Sequence, residues 1–274
     1  MSAILTKWVE GRGLPGELVI DGHIHIGEWV HAATFNSFED AAVNSIRLLD
    51  ENGVDAYCAL AGGYMNGLRD YRIGNDFLLR LWDIQRERMI PFMGMNPNDT
   101  QVNVLAELRR MYGAGVRCIK LLNFYQNNYP GDGPNLMALY EFAAERGMIV
   151  LNHHWTEAEI TKLAAMFPAV EFIFGHYGGG YQDDVMARFP NVNANIWNYG
   201  PLGWLDDGVK KLGASRFMMG SDGFANCLTV GIGPVVFADI YDDDKRLMLG
   251  LNAARLLDKA GALPGGLKKR WLNK

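Results

Sequence analysis

Short runs of apolar residues alternate along the chain with segments whose apolar positions recur every three or four residues. The runs predict eight β-strands, over residues 19–25, 54–61, 89–95, 116–122, 148–152, 170–175, 192–197 and 217–220. The intervening segments predict helices, because Ser37 and Thr156 each open a capping pattern and Pro134 stands at a typical first helical position. Further helical patterns cover residues 77–88, 102–112 and 234–260.

This alternation predicts an α/β fold built on a parallel sheet. The strands are continuous apolar runs, which is typical of strands that are buried on both faces. The chain has 274 residues, and one (β/α)8 TIM barrel needs about 250. An open doubly wound sheet is the alternative, but it favours a glycine-rich phosphate loop after the first strand, which residues 22–25 do not form. No linker divides the sequence, so we expect a single barrel domain over residues 1–274.

Composition limits the classes of binding partner and the cellular compartment that we expect for this protein. A net charge of -5 and the lack of a basic stripe argue against a nucleic-acid partner. No apolar stretch has the length of a membrane span, and residues 1–13 lack the pattern of a secretory signal. The cysteines Cys58, Cys118 and Cys227 lack zinc-site spacing and fit a reducing compartment. We therefore expect a cytoplasmic protein without a membrane partner.

The histidines concentrate where predicted strands end. Five of the six lie at such ends: His23, His25, His153, His154 and His176. The carboxyl ends of the strands form the active face of a TIM barrel, so these side chains and Asp222, after the eighth strand, should meet at one mouth. His23 and His25 point the same way because side chains alternate along a strand. Imidazoles and a carboxylate in one place predict a site for a divalent metal ion.

Seven short motifs occur in one order from the first strand to the last helix. They are residues 21–25 (DGHIH), 96–97 (NP), 119–121 (IKL), 150–153 (VLNH), 174–176 (FGH), 220–222 (GSD) and 251–256 (LNAARL). In this order the chain resembles the amidohydrolase superfamily, in its amidohydrolase-2 branch. That branch contains metal-dependent hydrolases and decarboxylases related to aminocarboxymuconate-semialdehyde decarboxylase.

The resemblance implies a role for each residue of the mouth. His23, His25 and His153 resemble the histidine ligands, and Asp222 resembles the carboxylate ligand and proton acceptor. His153 is chosen over His154 because residues 153–155 overlay the His-Pro-Trp common in the decarboxylases. His176 resembles the histidine that contacts the metal-bound water or the substrate. Lys120 occupies the position of a carboxylated bridging lysine in other superfamily members, but in this branch it usually is not that bridge.

The ligand set favours one tightly bound metal, with a second ion only if His176 is recruited. Zinc is the first expectation, and manganese and iron also suit mixed imidazole and carboxylate ligands. In the resulting hypothesis a metal-bound hydroxide attacks the carbonyl carbon of a small cyclic or aromatic amide, lactone or ester, and Asp222 transfers the proton. A non-oxidative decarboxylase of an aromatic or muconate-type acid is the alternative. A barrel that only binds a ligand is disfavoured, because the ligand set is complete.

The loops at the active face supply candidates for binding a small-molecule substrate. We expect Trp155 to line the pocket, Arg69 and Arg72 to clamp a carboxylate, and Asn123 to contact the substrate from a strand end. Many aromatic residues fall in the same loops, among them Phe124 and Tyr125. Barrels of this branch often form dimers, so the resemblance also implies a homodimer.

Overall fold

The eight predicted strands form one parallel sheet that curls into a barrel. The computed structural model describes residues 2–27, 37–66, 70–196 and 203–272. The strands are β1 (Ile20–His25), β2 (Ala56–Leu60), β3 (Met89–Gly94), β4 (Cys118–Leu121), β5 (Ile149–Asn152), β6 (Glu171–Phe174), β7 (Val192–Ile196) and β8 (Phe217–Met219). Each pairs in parallel with the next, in the order β1 to β8. A parallel bridge between Ile24 and Gly223 joins the last strand region to β1 and closes the barrel.

Helices surround the strands, as a (β/α)8 barrel requires. They are α1 (Ala3–Val9), α2 (Phe38–Glu51), α3 (Tyr71–Ile84), α4 (Gln101–Gly113), α5 (Pro134–Ala144), α6 (Glu157–Met166), α7 (Tyr181–Arg188), α8 (Trp204–Leu212), α9 (Thr229–Phe237), α10 (Asp242–Arg246), α11 (Asn252–Lys259) and α12 (Gly265–Leu267). Among the described helices, none has both the length and the apolar character needed to cross a membrane.

Apolar residues fill two separate layers. Alternate residues of the strands pack inside the barrel, where Ile20, Cys58 and Ile149 form one cluster with Ala254 and Leu257 of α11. The other strand residues pack outward against the surrounding helices. Since α11 contributes to the inner cluster, it covers the end of the barrel opposite to the strand carboxyl ends. The open mouth is therefore at the carboxyl ends, where the histidines lie.

Local sequence explains the starts of two helices, and the structure differs from the predicted helices around residues 70–72 and 234–260. Thr156 caps α6 in a complete capping box with Glu159. Residues 70–72, predicted as a loop, begin α3 instead, because the Asp70 carboxylate accepts the backbone N–H of Arg72 at 3.0 Å. The predicted helix over residues 234–260 is broken after α9, where the backbone N–H of Asp239 donates to the Asp206 carboxylate at 3.0 Å.

Helix α9 packs so closely on the end of β8 that Gly231 has no room for a side chain. A Cβ there would lie 2.9 Å from backbone atoms of Gly220 and Ser221. We expect Gly231→Ala to lower the free energy of unfolding by about 1–3 kcal/mol, because the backbone must shift to relieve the overlap. Denaturant unfolding followed by circular dichroism measures this change.

Helix α4 offers a control for this substitution. Gly113 is the last residue of α4, and a Cβ on it would have no heavy atom within 4 Å. Gly113→Ala should leave stability unchanged or raise it by about 0.5–1 kcal/mol, because alanine is the better helix former. Equal effects of the two substitutions would contradict the close packing of α9 on β8.

Candidate metal centre

The two histidines of β1 point into the mouth together, as predicted. Their Nε2 atoms lie 3.2 Å apart, and both side chains are buried. The pairing register of β1 with β2 shifts between Asp21 and Ile24, which marks a bulge. A bulge re-aims the following side chains, and here it directs His23 and His25 to the inner face.

Asp222 completes a tight group with these two imidazoles. Its Oδ1 atom lies 2.9 Å from His25 Nε2 and 3.4 Å from His23 Nε2. Oδ1 is nevertheless buried without a hydrogen bond of acceptable geometry. The backbone of Asp222 is left-handed, with φ of 57°, a conformation that aspartate and asparagine adopt more readily than most residues. Three electron-pair donors thus converge at one point of the mouth.

His176 and His153 extend this group across the mouth. One ligand atom each from His23, His176 and Asp222 lie within 4.8 Å of one another. The His176 ring centroid is 5.1 Å from that of His23 and 4.6 Å from that of His153. His154 is exposed. The structure therefore brings His176 into the compact cluster and places His153 directly beside it.

Contacts behind the cluster fix the orientation of His23. Its Nδ1 lies 3.2 Å from the carbonyl oxygen of Gly175. A carbonyl only accepts, so the hydrogen-bond pattern assigns the proton to Nδ1 and leaves Nε2 with its lone pair facing the cluster. Asp21 supports the same strand: its Oδ1 accepts the backbone N–H of His23 at 3.1 Å and of Ser221 at 3.0 Å. Asp21 therefore ties β1 to the end of β8, and burial raises its pKa to about 7.

Burial keeps the imidazoles neutral, which is the state that binds a metal. It lowers the pKa of His153 to about 4 and that of His176 to about 3. The pKa values of His23 and His25 are lowered for the same reason. At neutral pH these nitrogens therefore do not have to lose a proton before coordinating.

The surroundings lower the pKa of both Asp222 and Lys120, for different reasons. Burial by itself raises the pKa of Asp222, but the nearby His25, His23 and His176 imidazoles outweigh it and hold that pKa well below its usual range. Lys120 is fully buried, and burial lowers its pKa to about 7. Its Nζ lies 3.2 Å from His23 Nε2. Because its pKa is low, Asp222 is an anion at neutral pH.

The donor groups of the cluster can be compared with the ligands that divalent ions prefer. Neutral imidazoles and an ionised carboxylate are the donors that zinc and manganese accept. The unsatisfied Asp222 Oδ1, pointing at two imidazole nitrogens, is what a missing shared partner would leave. The donor set therefore fits a divalent metal.

The predicted substrate residues have mixed locations. Asn123 is buried after β4, where its Nδ2 donates to the carbonyl oxygen of Tyr129. Arg72 is exposed and makes a two-pronged pair with Asp70. Arg69 lies outside the described residues. The arginine clamp therefore finds no support from Arg72.

Trp155 does not line the mouth in this structure. Its side chain is fully buried against Phe172 and Phe174, in the layer between barrel and helices. Its Nε1 donates to the hydroxyl of Tyr140 at 3.2 Å. Trp155 therefore anchors the start of α6 to the barrel wall.

Sequence reasoning overlooked Asp21 as a supporting residue. It stands two positions before His23 and is fully buried. The signal was present, because a carboxylate inside an otherwise apolar strand needs backbone donors to be accommodated.

A family model shows to which protein family this barrel belongs. A family model described as Amidohydrolase (Amidohydro_2) matches residues 20–259. The chain belongs to the amidohydrolase-2 family. No curated protein matches the sequence.

Solved structures share the barrel at low sequence identity. A 5-carboxyvanillate decarboxylase from Sphingomonas paucimobilis is 15% identical, with a TM-score of 0.71 and coverage of 89% of this chain and 99% of that chain. A dihydroxybenzoic acid decarboxylase from Polaromonas sp. JS666, with bound manganese and the inhibitor 2-nitroresorcinol, is 18% identical, with a TM-score of 0.70 and coverage of 90% and 99%. A probable 2-pyrone-4,6-dicarboxylic acid hydrolase from Acinetobacter baumannii, with citric acid bound, is 14% identical, with a TM-score of 0.62 and coverage of 88% and 99%. These likenesses establish the (β/α)8 fold of this amidohydrolase-2 protein.

Proposed function

We propose that this amidohydrolase-2 protein is a metal-dependent hydrolase of a small cyclic or aromatic amide, lactone or ester. The observation that carries the proposal is the Asp222 carboxylate, whose Oδ1 lies 2.9 Å from His25 Nε2 and 3.4 Å from His23 Nε2 at the barrel mouth. A base of this kind, next to a metal site, is what hydrolysis of a carbonyl compound requires.

In this proposal His23, His25, His153 and Asp222 would hold one divalent ion, with zinc as the first choice. When bound, such an ion polarises a carbonyl oxygen and lowers the pKa of water from 15.7 to about 7. The manganese in the dihydroxybenzoic acid decarboxylase of the same fold supports a divalent metal in general. The neutral imidazole nitrogens supply the electron pairs without prior loss of protons.

Three residues of the chain have the remaining roles in this proposal. Asp222 would accept the proton of the attacking water and return it to the leaving group, because its carboxylate lies beside the imidazoles that face the mouth. His176 lies next to His23 and His153, and from this position it would contact and orient the substrate carbonyl. Asp21 keeps His23 and the end of β8 in register throughout.

A non-oxidative decarboxylase of an aromatic acid is the second candidate. It is favoured by the decarboxylases among the solved structures of the same fold, such as the 5-carboxyvanillate and dihydroxybenzoic acid decarboxylases. Such a reaction needs a cation that recognises a carboxylate and an acid that protonates carbon. Lys120 is a buried lysine beside His23, and its protonated form would serve the first need.

One assay separates the two reactions. The metal-loaded protein is incubated in 18O-labelled water with a panel of aryl lactones, cyclic amides and hydroxybenzoates, and the products are identified by mass spectrometry. We expect ring-opened acids carrying one labelled oxygen and no release of carbon dioxide. Carbon dioxide from the hydroxybenzoates, with the lactones and amides intact, would instead establish the second candidate.

A further inference from the structure

Two adjacent aromatic rings are left open to solvent at the carboxyl end of β4. Phe124 and Tyr125 belong to a short turn, Asn123–Tyr125, and their side chains are 51% and 47% exposed. Exposed apolar surface is unfavourable in water, and patches of it often mark binding surfaces. The position at the mouth indicates a small-molecule surface.

The turn that carries these rings is firmly held. Gln126, which follows it, is fully buried, and its Nε2 donates to the carbonyl oxygens of Met65 at 2.7 Å and Met95 at 2.9 Å. At the other end, Asn123 Nδ2 donates to the carbonyl oxygen of Tyr129 at 2.7 Å. The two rings are therefore presented from a fixed backbone.

The rings of Phe124 and Tyr125 lie next to the candidate metal centre. The Tyr125 ring centroid lies 4.9 Å from that of His153, and the Phe124 centroid lies 6.3 Å from it. His153 in turn contacts His176. A molecule whose carbonyl group reaches the ligand cluster on this side would lay its remaining atoms against Tyr125 and Phe124.

The relative orientation of the rings favours a flat partner. Their centroids are 5.2 Å apart and their planes are perpendicular, at 90°. A planar ring in this corner presents its face to one aromatic residue and its edge to the other, and both arrangements are favourable. A saturated ring of similar size has neither a π-face nor the matching flat shape.

We propose that Phe124 and Tyr125 form a ring-binding subsite that selects planar over saturated rings. This inference rests on the proposed function, because it takes the reacting group to be held at the metal centre. The two residues act on substrate selection and contribute no proton or electron pair to the reaction.

The test compares two carboxylates of equal charge and similar size. Benzoate and cyclohexanecarboxylate are titrated separately into the metal-loaded, full-length protein by calorimetry. We expect benzoate to bind about three- to tenfold more tightly, which is the selectivity that aromatic contacts supply beyond simple burial. In the double variant Phe124→Leu/Tyr125→Leu the ratio should fall to about one, since leucine is apolar but not aromatic.

Matched controls separate ring contacts from general effects of the substitutions. Phe237 and Tyr241 are exposed aromatic residues at the end of α9 and just after it, 58% and 84% exposed. Phe237→Leu/Tyr241→Leu removes the same atoms and should leave the ratio unchanged. Tyr125→Phe keeps the ring and should preserve the ratio. The metal content of each variant is measured in parallel.

The outcomes distinguish this inference from the proposed function. Equal affinity of the unaltered protein for both probes, including no binding of either, overturns the subsite. A benzoate preference that survives in the Phe124→Leu/Tyr125→Leu variant overturns it as well. Failure of the hydrolysis assay, with the preference present and lost in that variant, overturns the proposed function and leaves the subsite standing.

Discussion

Asp222→Asn is expected to lower kcat/KM for the hydrolysed substrate by about 10²–10⁴-fold, the usual contribution of a general base. Asparagine cannot accept the proton of the attacking water, and it is a weaker metal ligand than an ionised carboxylate. Steady-state kinetics on the substrate found in the isotope assay measures the effect. The metal content of the variant shows how much of the loss comes from weaker metal binding.

Asparagine is the appropriate substitution because of the backbone at this position. Residue 222 has φ of 57°, which asparagine tolerates and β-branched residues do not. The variant should therefore fold normally, with an unchanged unfolding transition. Asp243→Asn serves as the control and should keep full activity, because Asp243 is an exposed residue of α10 that pairs with Arg246. Asp222→Asn with undiminished kcat/KM would remove this carboxylate from the mechanism.

Removal of the metal should abolish turnover and lower stability. We expect about one zinc or manganese ion per chain in the protein as purified, and loss of activity after dialysis against a chelator. Adding the ion back at about 1,000 times its Kd should restore activity and raise the free energy of unfolding by about 4 kcal/mol, because the ion binds the folded chain preferentially. Elemental analysis and thermal unfolding measure both effects.

Two variants then show which histidine binds the metal and which one contacts the substrate. His153→Asn should lose most of the metal, whereas His176→Asn should retain it and lose turnover. Retention of metal by His153→Asn, with loss in His176→Asn, would move His176 into the ligand set with His23 and Asp222. An activity that survives complete removal of metal would contradict the proposed hydrolase mechanism.

The strand pattern alone was enough to predict the barrel and the mouth. Every predicted strand is present, because strands buried on both faces leave a clear apolar run in the sequence. The placement of His23, His25, His176 and Asp222 followed from the same reasoning, since parallel strands bring their carboxyl ends to one side. The family resemblance, later confirmed by the family match, added the individual roles.

What could not be predicted lies just beyond the strand ends. Alternation from His153 would place Trp155 on the same side, but the chain leaves β5 and turns into the Thr156 cap, so the indole points outward into the helix layer. The Arg72 side chain is engaged by its neighbour Asp70, a local pairing that depends on where α3 begins. The direction that the chain takes after a strand ends is set by tertiary packing. The periodicity of apolar residues in the sequence does not encode it.

The turn after β4 has a consequence for how this enzyme could change over time. Buried amides of Asn123 and Gln126 hold its backbone, while the neighbouring rings of Phe124 and Tyr125 stand half in solvent. Replacing those rings should cost little folding free energy, since exposed side chains contribute little to the core. Gene duplicates could thus explore new substrates through these two codons without first acquiring compensating stability, and a laboratory library restricted to them should yield mostly folded, metal-binding proteins.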